Sequence, residues 1–166
     1  MNLDKINRSA IKTSSRIVRP RSWWRQNREV FMKIGFRNIS GAPLENIAVA
    51  IILPPEVEIV DNQIMVVSRD KPEGVMLSYG ASSTCMDLGG YPPINAKGRG
   101  VGVLIYRARL DLKTLTEGAN TLDILHDFTG HKIGGVPTKK SREYTNIRVT
   151  KQQGIVSSRY IIHYDK

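Results

Sequence analysis

The sequence predicts an all-β fold, an antiparallel β-sandwich with an extended basic arm at its N-terminus. Three observations lead there. Apolar and polar residues alternate in short runs, which is the period of a strand with one covered face. Gly- and Pro-rich turns separate those runs, giving about eight to ten short strands spaced about 10 to 15 residues apart. No stretch sustains a helical period, and no internal repeat is visible.

The arm comes first. The 166 residues carry a formal net charge of +10, and most of it lies in residues 1–28. There Lys5, Arg8, Lys12, Arg16, Arg19, Arg21, Arg25 and Arg28 stand against Asp4 alone, while residues 29–166, the expected sandwich domain, are nearly balanced. Leu3, Ile6, Ala10 and Ile11 fall loosely at helical spacing, so one reading is a short amphipathic helix ended by Ser14-Ser15 and Arg19-Pro20-Arg21. Such a helix, under about four turns and without a capping box, is marginal alone. An extended arm that orders against a neighbour or a polyanion is the preferred expectation. Trp23-Trp24 follows, with one ring expected in the core and the other over the sandwich end. Its alternative role is a stacking platform for single-stranded nucleic acid.

Val30, Met32, Ile34 and Phe36 alternate with Phe31, Lys33, Gly35 and Arg37, and a second run repeats the pattern with Ile47, Val49, Ile51 and Leu53. Asn38, Ser40, Gly41 and Pro43 between them supply turn chemistry, so the pair reads as an opening hairpin. Pro54-Pro55 ends it, because proline has no N–H to give to a ladder. Two short strands at 57–60 and 63–67 are expected on either side of Asp61-Asn62, then a polar loop and a strand with Val75, Leu77 and Tyr79. Residues 81–100 are rich in turn formers and form the longest irregular region. From Val101 to Leu110 both faces are apolar at first, Val101, Val103 and Ile105 on one and Leu104 and Tyr106 on the other, which predicts a central strand. A turn at Glu117-Gly118, a strand with Leu122 and Ile124, the loop HKIGGVPTKKS, the strand REYTNIRV and a terminal strand with Tyr160, Ile162 and Tyr164 complete the chain.

Composition narrows the function. A hydrophobic fraction of 40% and a charged fraction of 24% are ordinary for a globular domain, and the length allows a real core. The positive charge favours polyanionic partners. The longest apolar runs fall well short of the roughly 20 residues of a membrane helix, and residues 1–16 lack the apolar region of a secretory signal. Cys85 is the single cysteine, expected as an unreactive half-buried thiol, with an intersubunit disulfide as its alternative.

No catalytic constellation is visible, and no cofactor is expected. GRGVG at 98–102 leads into a strand and lacks a P-loop lysine, so it reads as a turn. His126 and His131, near Asp123 and Asp127, are five apart and so point to opposite faces of a strand, which argues against a metal site. His163 reads as a surface residue, and Glu56 and Glu58 as a solvated edge. Lys33 is a weak candidate for a core isopeptide cross-link.

The segments NISGAPLENIAVAIILPPEVEIV, DLGGYPPINAKGRGVGVLIYRARL and EGANTLDIL, in that order, resemble the conserved surface-repeat domain, the eleventh domain of unknown function, of bacterial and archaeal envelope proteins. The matching residues are Asn38 and Gly41, Leu44 with Asn46, Ile47 and Val49, Leu53-Pro54, Leu88-Gly89, Ala96 to Gly98, and Tyr106-Arg107-Ala108. The resemblance implies an immunoglobulin-like sandwich used as a structural or adhesive surface module, with no catalytic residues. Members of that family usually occur as tandem repeats behind a signal peptide and are not strongly basic.

The leading expectation is a non-enzymatic subunit that assembles with itself into a surface fibre, appendage or coat, on a cell or spore surface, with the arm crossing to a neighbour. The first alternative is a virion or other shell protein whose arm binds nucleic acid. The second is a carbohydrate-binding or adhesion module displaying aromatics such as Tyr79 and Tyr91.

Overall fold

The computed structural model describes residues 10–18, 29–80, 85–111, 113–153 and 155–165, with backbone alone for 15–18, 30, 85 and 155–165. Ten strands among them form two antiparallel five-stranded sheets. The first sheet holds β1 (Ile11–Val18), β2 (Glu29–Asn38), β7 (Val101–Leu110), β4 (Val57–Ser68) and β5 (Val75–Ser78), side by side in that order. The second holds β10 (Ile155–Asp165), β9 (Ser141–Gln152), β8 (Gly118–His131), β3 (Asn46–Ile52) and β6 (Cys85–Asp87). No α-helix occurs among the described residues. The chain is an all-β antiparallel sandwich, as expected.

The alternation of the sequence becomes the inside and outside of the sandwich. Met32, Ile34 and Phe36 of β2, Leu104 and Tyr106 of β7 and Ile64 of β4 pack in one core with Ile47, Val49 and Ile51 of β3 and Ile124 and Phe128 of β8, each at most 2% exposed. Phe36 is the centre of an aromatic cluster, 5.2 Å from Tyr91 edge-on and 5.4 Å from Phe128. Its ring fills the space above Gly102, where any Cβ would overlap it. Each fully buried apolar side chain contributes roughly 1.5–3 kcal/mol, so the two inner faces hold the sheets together. As predicted, β7 is the central strand of the first sheet.

Three expectations give way. The opening hairpin is an arch: β2 and β3 lie in different sheets, and residues 39–45 carry the chain across the sandwich end. Asn38 causes this. It is fully buried, and its side-chain amide donates to the carbonyls of Ala42 (2.9 Å) and Tyr91 (3.0 Å) while its Oδ1 accepts from the Ser40 N–H (3.0 Å) and hydroxyl (2.6 Å). That anchor folds the turn inward over Tyr91 instead of back along β2.

Second, residues 57–60 and 63–67 belong to one strand. Asp61 and Asn62 take the left-handed conformation (φ 57° and 52°) and form a bulge, shifting the register with β7 between Ile59 and Ile64. Third, eight residues counted in the arm are β1, paired with β2 from Ile11↔Asn38 to Val18↔Phe31. Ala10, Ile11 and Thr13 are buried there. The spacing of Ile11 and Thr13 in IKT is that of a strand, which the density of cations masks.

Candidate functional site

The open surfaces of the sandwich are built by the same alternation that builds its core. On the outer face of the first sheet, Phe31, Lys33, Gly35 and Arg37 of β2 lie opposite Arg107, Ile105, Val103 and Val101 of β7. On the far side of β7, Ile105 is in register with Met65 and Val103 with Val67, both of β4, and Met65 in turn with Met76 of β5. The centre of this face is therefore apolar. Phe31 and Met76 are 40% and 55% exposed, and Val101, Val103, Ile105, Met65 and Val67 are half-buried. Gly35 keeps the middle of the face shallow, with Ser14 of β1 alongside.

Charge borders the apolar island unevenly. At its Glu29 end two guanidinium groups and three carboxylates form a network of ion pairs. Arg109 donates to Glu29 (2.6 and 3.2 Å) and to Glu58 (3.2 Å), and Arg107 reaches Glu29 (3.5 Å) and Asp61 (3.4 Å). These pairs are largely solvated, so water screens them and they add little to stability. On the β1–β2 side stand Lys12, Lys33 and Arg37, and no described carboxylate pairs with any of them. Lys33 points outward and is exposed, so it is not placed for a cross-link in the core.

Inside the sandwich the polar groups serve the fold. The Tyr106 hydroxyl of the first sheet and His126 Nε2 of the second are 2.6 Å apart, a buried bond between the sheets. Burial pushes the His126 imidazole down to about 3, with the backbone of Glu143 opposing, and pushes the Tyr106 phenol well up, with charge on Tyr79 and Glu143 adding to it. Glu143 and Thr145 of β9 are also buried, Glu143 in register with His126. His131 lies on the opposite face of β8, as expected, and no three metal-ligating side chains cluster among the described residues.

A cleft of about 390 Å³ opens at one margin of the sandwich, with Val66, Leu77 and Leu88 at its base and Asp70, Asp87 and Arg99 at its rim. Arg99 donates twice to Asp70 (3.1 Å each), and that bond, more than the charges of Arg99 and Arg69, holds the Asp70 carboxyl below its usual range. Asp87 accepts from the Gly89 N–H (2.9 Å). The rim is thus spent on fixing loops. Tyr91 is buried against Phe36, and burial pushes its phenol up to about 12, with Asp70 and Asp87 adding to it. Tyr79 donates its hydroxyl to the Ile51 carbonyl (3.1 Å). Tyr91 is therefore not displayed for a ligand, and Tyr79 is half-buried with its hydroxyl engaged.

The remaining expected site residues fall as follows. Lys12 is exposed on β1, and Arg16 lies on the same strand, in register with Lys33. Lys5, Arg8, Arg19, Arg21, Trp23, Trp24, Arg25 and Arg28 lie outside the described residues. The backbone of Cys85 is in β6, in register with Ala50, and its side chain and that of His163 lie outside the described ones. The apolar face was half legible: the run Val101, Val103, Ile105 signalled it. Met65 and Met76 were not, because the register that brings them to Ile105 is set by the bulge in β4.

No family model matches the chain, so the surface-repeat resemblance rests on its residues alone, and no curated protein matches it. Solved structures with similar folds include ACE19, the collagen binding subdomain of the Enterococcus faecalis surface protein ACE, at 11% identity and TM-score 0.42 over 70% of this chain and 86% of that one. The collagen binding domain of the Erysipelothrix rhusiopathiae surface protein RspB aligns at 10% identity and TM-score 0.44 over 92% of this chain. The Enterococcus faecalis MSCRAMM ACE, described as binding its ligands by the collagen Hug Model, aligns at 12% identity and TM-score 0.40 over 69%. The alignments span 46% and 44% of the last two chains. At these identities and scores the likeness says nothing about ligands.

Proposed function

We propose that the chain is a non-enzymatic binding module of a cell-surface or extracellular protein, acting by pressing the outer face of its first sheet against another macromolecule. The observation that carries this reading is the apolar island of Phe31, Met65, Met76, Val103 and Ile105 on a sheet face that no other described element covers. The open face of an antiparallel sheet is ordinarily polar, and contiguous exposed apolar surface marks interaction sites. Tyr106 and His126 bridge the sheets, Asp70 and Arg99 clamp loops, and Glu29, Arg107 and Arg109 knit the surface, which fits a module that holds rather than transforms its partner.

The test is surface plasmon resonance over immobilised extracellular macromolecules, among them triple-helical collagen, fibronectin and an acidic polysaccharide, and over the chain itself. Ile105→Glu places a carboxylate in the island while leaving the core untouched. Binding to at least one foreign surface is expected, with affinity reduced about tenfold or more by the substitution, as for a central contact residue. Equal binding by the variant, or binding to no foreign surface, would refute the reading.

A second reading, self-assembly into a fibre, appendage or coat, is favoured by β1 and β10, two of the four outermost strands. β10 runs for 11 residues along a sheet margin, long enough for a strand of another copy to pair with it. In that case the chain binds itself in the same experiment and Ile105→Glu does not weaken the contact.

A further inference from the structure

We propose that the turn between β8 and β9 is a docking tip for an anionic lipid bilayer. Ile133 and Val136 are 74% and 56% exposed, the two most exposed of the large hydrophobic side chains in the described residues. The turn that presents them is closed by hydrogen bonds. Lys132 N–H donates to the Val136 carbonyl (2.8 Å) and Gly135 N–H to that of Lys132 (2.9 Å). Gly134 N–H donates to Glu45 (3.2 Å), tying the tip to the β2–β3 arch, and Thr138 closes its base through two bonds with Gly130. Gly134 and Gly135 take positive φ (92° and 79°), so the two aliphatic side chains are held outward by design of the backbone rather than by chance of a loose loop.

Charge completes the match. Residues 132–142 contain Lys132, Lys139, Lys140 and Arg142 and no carboxylate. Lys140 and Arg142 share one carboxylate, Asp127, at 3.7 and 3.8 Å. Aliphatic side chains projecting among four cations that outnumber the neighbouring carboxylates of Glu45 and Asp127 suit a laterally continuous anionic surface: the chains enter the boundary between headgroups and acyl tails, and the cations meet phosphates. A convex tip needs no shape-matched pocket in its partner. Nucleic acid fits it less well, since Ile133 and Val136 offer no ring for a base to stack on.

Cosedimentation with phosphatidylcholine vesicles, with and without about a third of phosphatidylglycerol, tests the proposal on the full chain. Expected are partition onto the anionic vesicles, a loss of about tenfold in the uncharged pair Ile133→Ser with Val136→Ser, and a loss also in Lys132→Glu with Lys139→Glu. Ile105→Glu should partition like the parent, which separates this surface from the outer face of the first sheet. Binding of the serine pair to single-stranded DNA, a soluble polyanion, should equal the parent's. No partition, equal partition by the serine pair, or an equal loss on DNA would overturn the proposal. Both serine sites are exposed, so unchanged far-ultraviolet circular dichroism is expected for that variant.

Discussion

His126 has no exposed surface, and its Nε2 lies 2.6 Å from the Tyr106 hydroxyl, with burial holding its pKa near 3. The unfolded imidazole titrates near 6.5. Between these values the unfolded chain takes up a proton that the folded one refuses, so stability rises with pH through this window. This contribution is complete above about 6.5 and is lost as the pH falls towards about 3. His126→Gln keeps a partner for Tyr106 but does not titrate. Urea unfolding across this range should show a shallower pH dependence in the variant, and an unchanged slope would assign the acid sensitivity to carboxylates instead. The inward position of residue 126 was legible, since Leu122 and Ile124 set the alternation two and four residues earlier. Its partner was not, because Tyr106 comes from the other sheet and no local pattern names a residue across the core.

At the scale of elements, β1 shows what charge conceals. Counting cations drew a boundary at residue 28, but residues 11–18 complete the first sheet against β2. Removing residues 1–18 would uncover the inner edge of β2 beside Ile34 and Phe36 and delete the buried Ile11. We expect such a truncation to lose about 2 kcal/mol or more of stability, read as a lower urea midpoint. A removable arm would leave the midpoint unchanged. The arch at 39–45 and the bulge at Asp61-Asn62 were misread for a related reason: the residues that favour a turn were recognised, but whether a turn folds back, crosses over or interrupts a strand depends on what its side chains meet. Asn38 meets the Tyr91 carbonyl, 53 residues away, and no window along the chain contains both. Runs with period two and proline stops, as in β3 and β7, were legible because their cause is local.

For the whole molecule, the fold class followed from periodicity, while the candidate surfaces emerged only from register. The balance of charge then sets what those surfaces can meet. Two copies at +10 repel at low ionic strength, and salt screens the repulsion over a Debye length of about 10 Å at 0.1 M. If the second reading holds, sedimentation velocity should show self-association that strengthens as salt is raised. Binding of an acidic partner should weaken over the same series. A chain that stays monomeric throughout would leave foreign contacts as the use of its surfaces.

The register also determines how this domain would bear a load. Ile11 pairs with Asn38 and Asp165 with Arg142, and the arch joins Asn38 to Asn46, which pairs with His131. The first and last described strands therefore have their outer ends at the same end of the sandwich, at opposite sheets' margins. Tension applied between Ile11 and Asp165 would act across the strands, opening their hydrogen bonds one after another like a zip rather than shearing them together. As a link in a pulled chain, the sandwich would yield early and by stages, working as an extensible element instead of a stiff one.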